Sequence, residues 1–151
     1  MHQIPQDEAP RFIGLVNLIS LSGSHLRLPA HLVTPKEEEK TTLVVELAYS
    51  FLPTAWAKGY ATEAITAVLQ ACRSGASARF WRPWSNVYMR VIVNGRNPAS
   101  QRVMAKCGIE HKGVFKWEGE KIFIGGEWRT EDDLYIYGCY LQGGKEKVGG
   151  A

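Results

Sequence analysis

A small-residue segment between an apolar run and a helical pattern is the part of the sequence best suited to bind an anion. Pro53 ends the apolar run, Gly59 stands in the connection, and the helical pattern begins at Ala61. Backbone N–H groups at a helix start lack partners, and the helix dipole favours negative charge there. Gly59 and the small Ala57 and Ala61 also let the backbone approach a phosphate closely. The same pattern is also that of an ordinary tight turn.

A single carboxylate, Glu46, stands in the middle of the apolar run Thr42–Phe51. Alternation along a strand predicts that the odd-numbered residues share one face and that Glu46 lies on the other. A charge in so apolar a strand is costly unless it has a function or a partner. Glu46 is therefore a candidate general base, and the alternative is a glutamate paired with a nearby arginine such as Arg90.

Hydrophobic periodicity predicts the elements that position these groups. A helix is expected over Ala61–Cys72, and a second one begins at the N-cap Asn97 with Pro98 in its first turn and stops at Gly108. Residues 29–40 are expected to form a solvated loop, and residues 76–86 fit no element. The first predicted strand is Phe12–Leu21, and His25–Leu28 is expected to pair back on it as a hairpin. A second hairpin is expected from Ile109–Trp117 and Lys121–Trp128, joined by a turn at Glu118-Gly119. The other predicted strands are Thr42–Phe51, Val87–Val93 and Leu134–Leu141.

Two motifs in this order resemble those of the GNAT N-acetyltransferase superfamily, most closely its branch of ribosomal-protein N-terminal acetyltransferases and their small-molecule relatives. The segment Trp56–Ala61 matches the last three positions of the pyrophosphate loop, with tryptophan at the first position and alanine for the usual glycine at 57. The second signature is an asparagine, a serine three residues later, and a helix that ends in Lys-x-Gly-Phe. The residues that match it are Asn97, Ser100, Arg102, Val103, Lys106 and Gly108, and Ile109 stands in place of the common phenylalanine. The resemblance covers about residues 12–141.

The resemblance implies an α/β (α+β) fold with a central mixed, mainly antiparallel sheet flanked by helices. Two neighbouring parallel strands would splay apart, and acetyl-CoA would lie in the gap with its pantetheine on the backbone of Tyr49–Leu52. The partner strand would be Val87–Val93, and the diphosphate would bind the N–H groups of Ala57–Ala61. The residues expected to bind the cosubstrate are Tyr49, Ser50, Phe51, Leu52, Trp56, Ala57, Lys58, Gly59, Tyr60, Ala61, Thr62, Asn97 and Ser100.

The function that the resemblance implies is direct transfer of an acetyl group from acetyl-CoA to an amine, either a small molecule or a protein α-amino group. By analogy, Glu46 or an ordered water would be the base and Ser100 would be the acid that protonates the leaving thiolate. A serine in the first turn of a helix also helps to cap it, which is the alternative role of Ser100. The other open readings are an acyl-CoA-binding module with weakened catalysis and a GNAT-like fold with different chemistry.

Other residues suited to chemistry are better explained by packing. Tyrosines of the last strand could act as acids, tryptophans could line the acceptor pocket, and two cysteines could be nucleophiles, but no histidine stands near either cysteine in sequence. His111 is expected to be a half-buried strand histidine. These residues are Tyr135, Tyr137, Tyr140, Trp81, Trp84, Trp117, Trp128, Cys107 and Cys139.

Length and composition bound the class of protein. The 151 residues predict an arm at 1–11, one domain at 12–142 and a flexible tail at 143–151. A net charge of +3 argues against a nucleic-acid partner, and no apolar run is long enough to span a membrane. Three cysteines without CxxC spacing suggest free thiols, a cytoplasmic setting and no zinc. The family's usual N-terminal strand and helices are missing before residue 12, which leaves open a truncated product, a domain completed by a second subunit, or a more open acceptor site. Apolar surface exposed by their absence would favour a homodimer.

Overall fold

The computed structural model describes residues 9–21, 26–32, 41–124 and 127–144, and its centre is a five-stranded mixed sheet. Spatial order is β1-β2-β3-β5-β4, and β2–β3 is the one parallel pair among the described strands. This confirms the predicted fold class. The strands are β1 (Gly14–Ser20), β2 (Thr42–Phe51), β3 (Asn86–Asn94), β4 (Glu110–Ile124) and β5 (Glu127–Gln142), and the helices are α1 (Tyr60–Arg73) and α2 (Pro98–Lys106).

The main core lies between the sheet and the two helices. The odd-numbered residues of β2 face it, as the alternation predicts, and they pack with the apolar face of α1 and with Met104 of α2. Ile65, Met89 and Met104 have no exposed surface, which is the burial that stabilises such a layer. Both helices are therefore held against the strand ends that border the predicted site.

The second face of the sheet is covered by residues 26–32, which end in a short 3-10 turn, Ala30–Leu32. Leu32 packs there on Leu134 and Ile136, with Leu26 and Leu28 beside them. The predicted hairpin strand His25–Leu28 is wrong over its described part, because 26–28 is not a strand and its leucines are used to cover the sheet. Residues 33–40 of the predicted loop, with the charge run 36–40, lie outside the described residues.

The last two strands form one long antiparallel hairpin, which corrects the predicted turn at Glu118-Gly119. β4 continues to Ile124, and its pairing with β5 shifts between Glu118 and Ile122. A strand that carries extra residues at such a bulge keeps its direction, so the glycine marks a bulge rather than a chain reversal. The predicted strand Lys121–Trp128 therefore spans the connection between β4 and β5, of which residues 125–126 lie outside the described residues.

The remaining predictions concern the segments around this frame. The segment 76–86, which fitted no element, begins within a 3-10 turn, Gly75–Arg79. The buried Trp81 indole then donates a hydrogen bond to the Cys72 carbonyl at 3.3 Å. Residues 1–8 of the predicted arm and 145–151 of the predicted tail lie outside the described residues. Neither α1 nor α2, the helices within the described ranges, is long and apolar enough to cross a bilayer.

Candidate functional site: a cleft between diverging strands

The two parallel strands separate halfway along their length. Thr42 pairs with Asn86, and the pairing of the two strands continues as far as Glu46 with Arg90. Beyond that point β2 continues to Phe51 and β3 continues to Asn94. Beyond Glu46 and Arg90 each strand stays paired with its other neighbour, β2 with β1 and β3 with β5. The predicted splay is therefore present, and its vertex lies at the Glu46–Arg90 pair.

The backbone of Tyr49 faces the open gap. The Leu52 N–H donates to the Ile13 carbonyl at 2.8 Å, and the Leu21 N–H donates to the Val44 carbonyl at 3.4 Å. Even-numbered residues of β2 therefore turn their N–H and C=O groups toward β1, and odd-numbered residues turn theirs toward the gap. At the gap's outer end the Phe51 carbonyl accepts a hydrogen bond from the Trp56 indole at 2.8 Å. Tyr49 thus presents a backbone donor and acceptor to any extended ligand in the gap.

The start of α1 is built to receive an anion. Gly59 is the N-cap residue in the left-handed conformation, with φ of 81°, and no side chain caps the helix. The N–H groups of Tyr60, Ala61 and Thr62 precede the first intrahelical bond, which the Glu63 N–H makes to the Gly59 carbonyl. Ala57 also has positive φ, 58°. Two left-handed residues within three positions turn the chain so that these free N–H groups border the cleft.

Helix α2 forms the opposite wall and adds two cations. The Asn97 side chain caps it by accepting a hydrogen bond from the Ser100 N–H at 3.1 Å, as predicted. Arg102 and Lys106 follow on the cleft side, four residues apart on one helix face. Both residues belong to the second signature, which carried no predicted binding role for them. Their basic charge and spacing were the signal that could have identified them.

Strand ends, helix start and α2 together enclose a cleft of about 760 Å³. It brings together all of the predicted cosubstrate-binding residues except Leu52 and Lys58. Leu52 is exposed beside β1, and Lys58 is exposed on the loop. The cleft is lined by Tyr49, Ser50, Phe51, Ala55, Trp56, Ala57, Gly59, Tyr60, Ala61, Thr62, Asn97, Ala99, Ser100, Arg102, Val103 and Lys106.

Glu46 lies at the vertex and forms an ion pair with Arg90. Its Oε2 accepts a hydrogen bond from the Arg90 Nε at 2.8 Å, and the Arg90 Nη1 donates to the Leu26 carbonyl at 2.9 Å. The Arg90 side chain is 4% exposed and that of Glu46 is 23% exposed. The arginine partner considered in the sequence analysis is therefore present. Glu46 points to the face opposite the helices and does not line the cleft, so its role as a base stays a prediction.

Tyr49 and Ser100 meet across the cleft from two different elements. The Tyr49 hydroxyl is buried close to Ser100, although the two hydroxyls do not reach hydrogen-bond geometry. Burial raises the pKa of the Tyr49 phenol above its ordinary value of 10.0, and the Ser100 hydroxyl offsets part of that rise. The phenol therefore keeps its proton throughout the neutral range.

The other candidates lie in packing environments. His111 of β4 is exposed and not half-buried as predicted, and its ring lies against Tyr135 and Tyr137 with centroids 5.5 Å and 5.0 Å away. The Cys107 thiol contacts Thr66 and the Thr62 carbonyl and has no histidine partner among the described contacts. None of the predicted tryptophan candidates lines the cleft. The described residues also contain no group of three metal-ligating side chains.

Comparison with known proteins identifies the class of this fold and site. The family model described as "Acetyltransferase (GNAT) domain" matches residues 4–110. The chain therefore belongs to the GNAT acetyltransferase domain family. The match does not assign it to the ribosomal-protein branch or to an acceptor.

Solved structures share the fold at low sequence identity. The yncA protein of Salmonella typhimurium, solved with its cofactor acetyl-CoA, is 15% identical, with 91% of this chain and 62% of that chain covered and a TM-score of 0.54. A chimera of Vibrio cholerae spermidine N-acetyltransferase SpeG and hSSAT is 20% identical, with 89% and 63% covered and a TM-score of 0.53. The ribosomal-protein-S5-alanine acetyltransferase of Vibrio fischeri is 19% identical, with 84% and 53% covered and a TM-score of 0.50.

The extent of these matches is limited. The chain spans between 53% and 63% of the length of these three structures. No curated protein sequence matches it. At this identity the likeness shows the fold alone.

Gly59 offers a test of the loop conformation. We expect Gly59→Ala to lower the free energy of unfolding by about 1 kcal/mol, because a left-handed backbone costs a Cβ-bearing residue about that much. A Cβ at Gly59 meets nothing within 4 Å, so the effect is conformational and not steric. Ala57→Gly should have the smaller opposite effect. Urea denaturation measures both changes.

Gly75→Ala is the matched control, because a Cβ there also meets nothing within 4 Å and the position has no positive φ. It should leave stability unchanged or raise it slightly. Equal effects of alanine at 59 and 75 would contradict the left-handed assignment at Gly59.

Proposed function

We propose that this protein is an acetyl-CoA-dependent N-acetyltransferase that moves the acetyl group directly to an amine. The observation that carries the proposal is the cleft itself, in which diverging strand ends meet an uncapped helix N-terminus and two basic side chains. This combination suits an elongated ligand with an amide-containing arm and an anionic end. Membership of the GNAT family supports acetyl-CoA as that ligand.

Different residues of the cleft are proposed to bind different parts of acetyl-CoA. The free N–H groups at the start of α1, with Arg102 and Lys106 opposite, fit phosphate groups. The backbone groups of Tyr49 fit the amides of the pantetheine arm by adding to the strand edge. This arrangement leaves Ser100, close to the Tyr49 side chain of β2, as the proposed hydroxyl at the reacting end.

The chemistry requires one proton to leave the amine and one to reach the departing sulfur. Glu46 or an ordered water is proposed to accept the first, and Ser100 is proposed to supply the second. The amine nitrogen forms a bond to the acetyl carbon as the carbon–sulfur bond breaks. No covalent enzyme intermediate is needed.

The acceptor is proposed to be a small-molecule amine or a protein α-amino group. The similar structures include a spermidine N-acetyltransferase chimera and a ribosomal-protein-S5-alanine acetyltransferase, which cover both kinds of acceptor. The two motifs quoted above support the ribosomal-protein branch and its small-molecule relatives. The free cysteines of the described chain support a reducing, cytoplasmic setting.

A homodimer is proposed to cover the second face of the sheet at β1. Leu15 and Ile19 are exposed there, on the part of the sheet that residues 26–32 do not cover. The two apolar side chains flank Asn17 on this face, and exposed apolar surface rimmed by polar residues is typical of an interface. A monomeric mass by light scattering at micromolar concentration would exclude the dimer.

A second candidate function is an acyl-CoA-binding module with weakened catalysis. The Glu46–Arg90 ion pair favours it, because a carboxylate held by a buried arginine is less available as a base. The two candidates share the cleft and differ in turnover.

Calorimetric titration with acetyl-CoA, followed by thiol release in a mixture of amines, tests both candidates. Micromolar binding with amine-dependent release of CoA would support the acetyltransferase. Binding without release from any amine would favour the module. Absence of binding to acetyl-CoA and to CoA would contradict both.

A further inference from the structure

Tyr49 carries a buried hydroxyl with no hydrogen-bond partner at the inner wall of the cleft. Its ring lies on the helix-facing side of β2, with an edge-on contact to Phe51 at 6.4 Å between centroids. The side chains that act on its hydroxyl are Ser100, Cys107 and Tyr137. An unpaired buried hydroxyl is costly, and most such groups in native proteins have a reason to exist.

We propose that Tyr49 is a positioning residue whose phenol donates a hydrogen bond to the Ser100 Oγ and thereby directs the Ser100 proton into the cleft. This inference rests on the proposed acetyl transfer, in which Ser100 serves the departing sulfur. Both side chains line the same cleft and the Tyr49 hydroxyl lies close to Ser100, so a rotation of the Ser100 side chain or a small closure of the cleft would complete the bond. Nothing in the sequence pattern indicates this pairing, because the two residues belong to different elements.

The physical reason lies in the hydrogen-bonding capacity of a serine. A serine hydroxyl has one proton and two acceptor lone pairs, and in the first turn of a helix it readily donates that proton to a nearby backbone carbonyl. A permanent donor on its oxygen leaves the proton free for a ligand. Tyr49 is such a donor because burial keeps its phenol protonated, while Asn97 fixes the Ser100 backbone.

The proton balance requires no further reactant. The Ser100 proton passes to the sulfur as the carbon–sulfur bond breaks, and Ser100 then regains a proton from solvent. The Tyr49 phenol stabilises the Ser100 oxygen through its hydrogen bond as that proton leaves. Tyr49 therefore acts through Ser100 and not on the substrate.

A double-mutant cycle tests the inference. Tyr49→Phe keeps the ring and removes the hydroxyl, and we expect kcat to fall about tenfold with the KM for acetyl-CoA unchanged. In the Ser100→Ala background, the same change should cost nothing further. Tyr88→Phe removes another buried hydroxyl without a partner, on β3 and outside the cleft, and as the control it should leave kcat unchanged. Losses that multiply in the double variant, or a raised KM in Tyr49→Phe, would overturn the inference.

A stability measurement separates this inference from the proposed function. If acetyl-CoA binds but no amine is acetylated, the proposed function fails while the Tyr49–Ser100 contact remains testable. Urea denaturation of Tyr49→Phe, Ser100→Ala and the double variant, each with CoA bound, should give losses in the free energy of unfolding that do not add. Additive losses would show that the hydroxyls do not interact and would overturn the inference.

Discussion

Glu46→Gln is expected to lower the free energy of unfolding by about 2–3 kcal/mol. The substitution leaves the Arg90 guanidinium buried without an anionic partner among the described contacts, and the neutral Leu26 carbonyl continues to accept a hydrogen bond from its Nη1. Breaking a buried ion pair costs about 3–5 kcal/mol, and the partial exposure of Glu46 reduces that figure. Urea denaturation at pH 7 measures the loss.

The double variant Glu46→Gln with Arg90→Met is the matched control for charge burial. Removing both charges leaves none unpaired, so it should recover most of the stability. If Glu46→Gln is as stable as the original protein, the ion pair does not anchor the vertex of the diverging strands.

The same substitution tests Glu46 as the base, provided that activity is measured well below the unfolding transition. A base role predicts that kcat falls at least tenfold while the affinity for acetyl-CoA persists. An unchanged kcat would exclude Glu46 and leave an ordered water as the proposed base. A fall in kcat that the Arg90→Met partner restores would indicate a structural role.

Lys106→Glu is expected to weaken acetyl-CoA binding about 10- to 100-fold. Lys106 lines the cleft on α2, opposite the free N–H groups of α1. A hydrogen bond to a charged group is worth about 1.5–3 kcal/mol, which corresponds to that range in Kd. The difference between the two proteins should shrink as salt is raised, because surface charges are screened. Calorimetric titration at two ionic strengths measures both effects.

Arg79→Glu provides the control for net charge. It makes the same change in charge at an exposed position beyond the far end of α1, a helix of 14 residues and therefore about 21 Å long. The affinity for acetyl-CoA should remain within about twofold of the original. Equal weakening by both variants would mean that the overall field of the protein attracts acetyl-CoA and that Lys106 makes no specific contact.

The elements and the outline of the cleft followed from local patterns in the sequence. Alternation along Thr42–Phe51 predicted the strand and its two faces, and the 3.6-residue period after Gly59 predicted α1. The cap at Asn97 and the stop at Gly108 are local backbone chemistry, so α2 was predicted almost to the residue. These signals depend on neighbours within a few positions, which is why one chain suffices to read them.

The contacts that give the site its chemistry came from the packing of distant segments. Glu46 and Arg90 are 44 positions apart, and their pairing depends on the register of two parallel strands. Tyr49 and Ser100 meet because the core holds α2 against β2. The segment His25–Leu28 was predicted to pair back as a hairpin strand after a turn, yet Leu26 and Leu28 pack over the cluster that contains Ile136. Burial and register are properties of the whole fold, and they select among local options that are close in free energy.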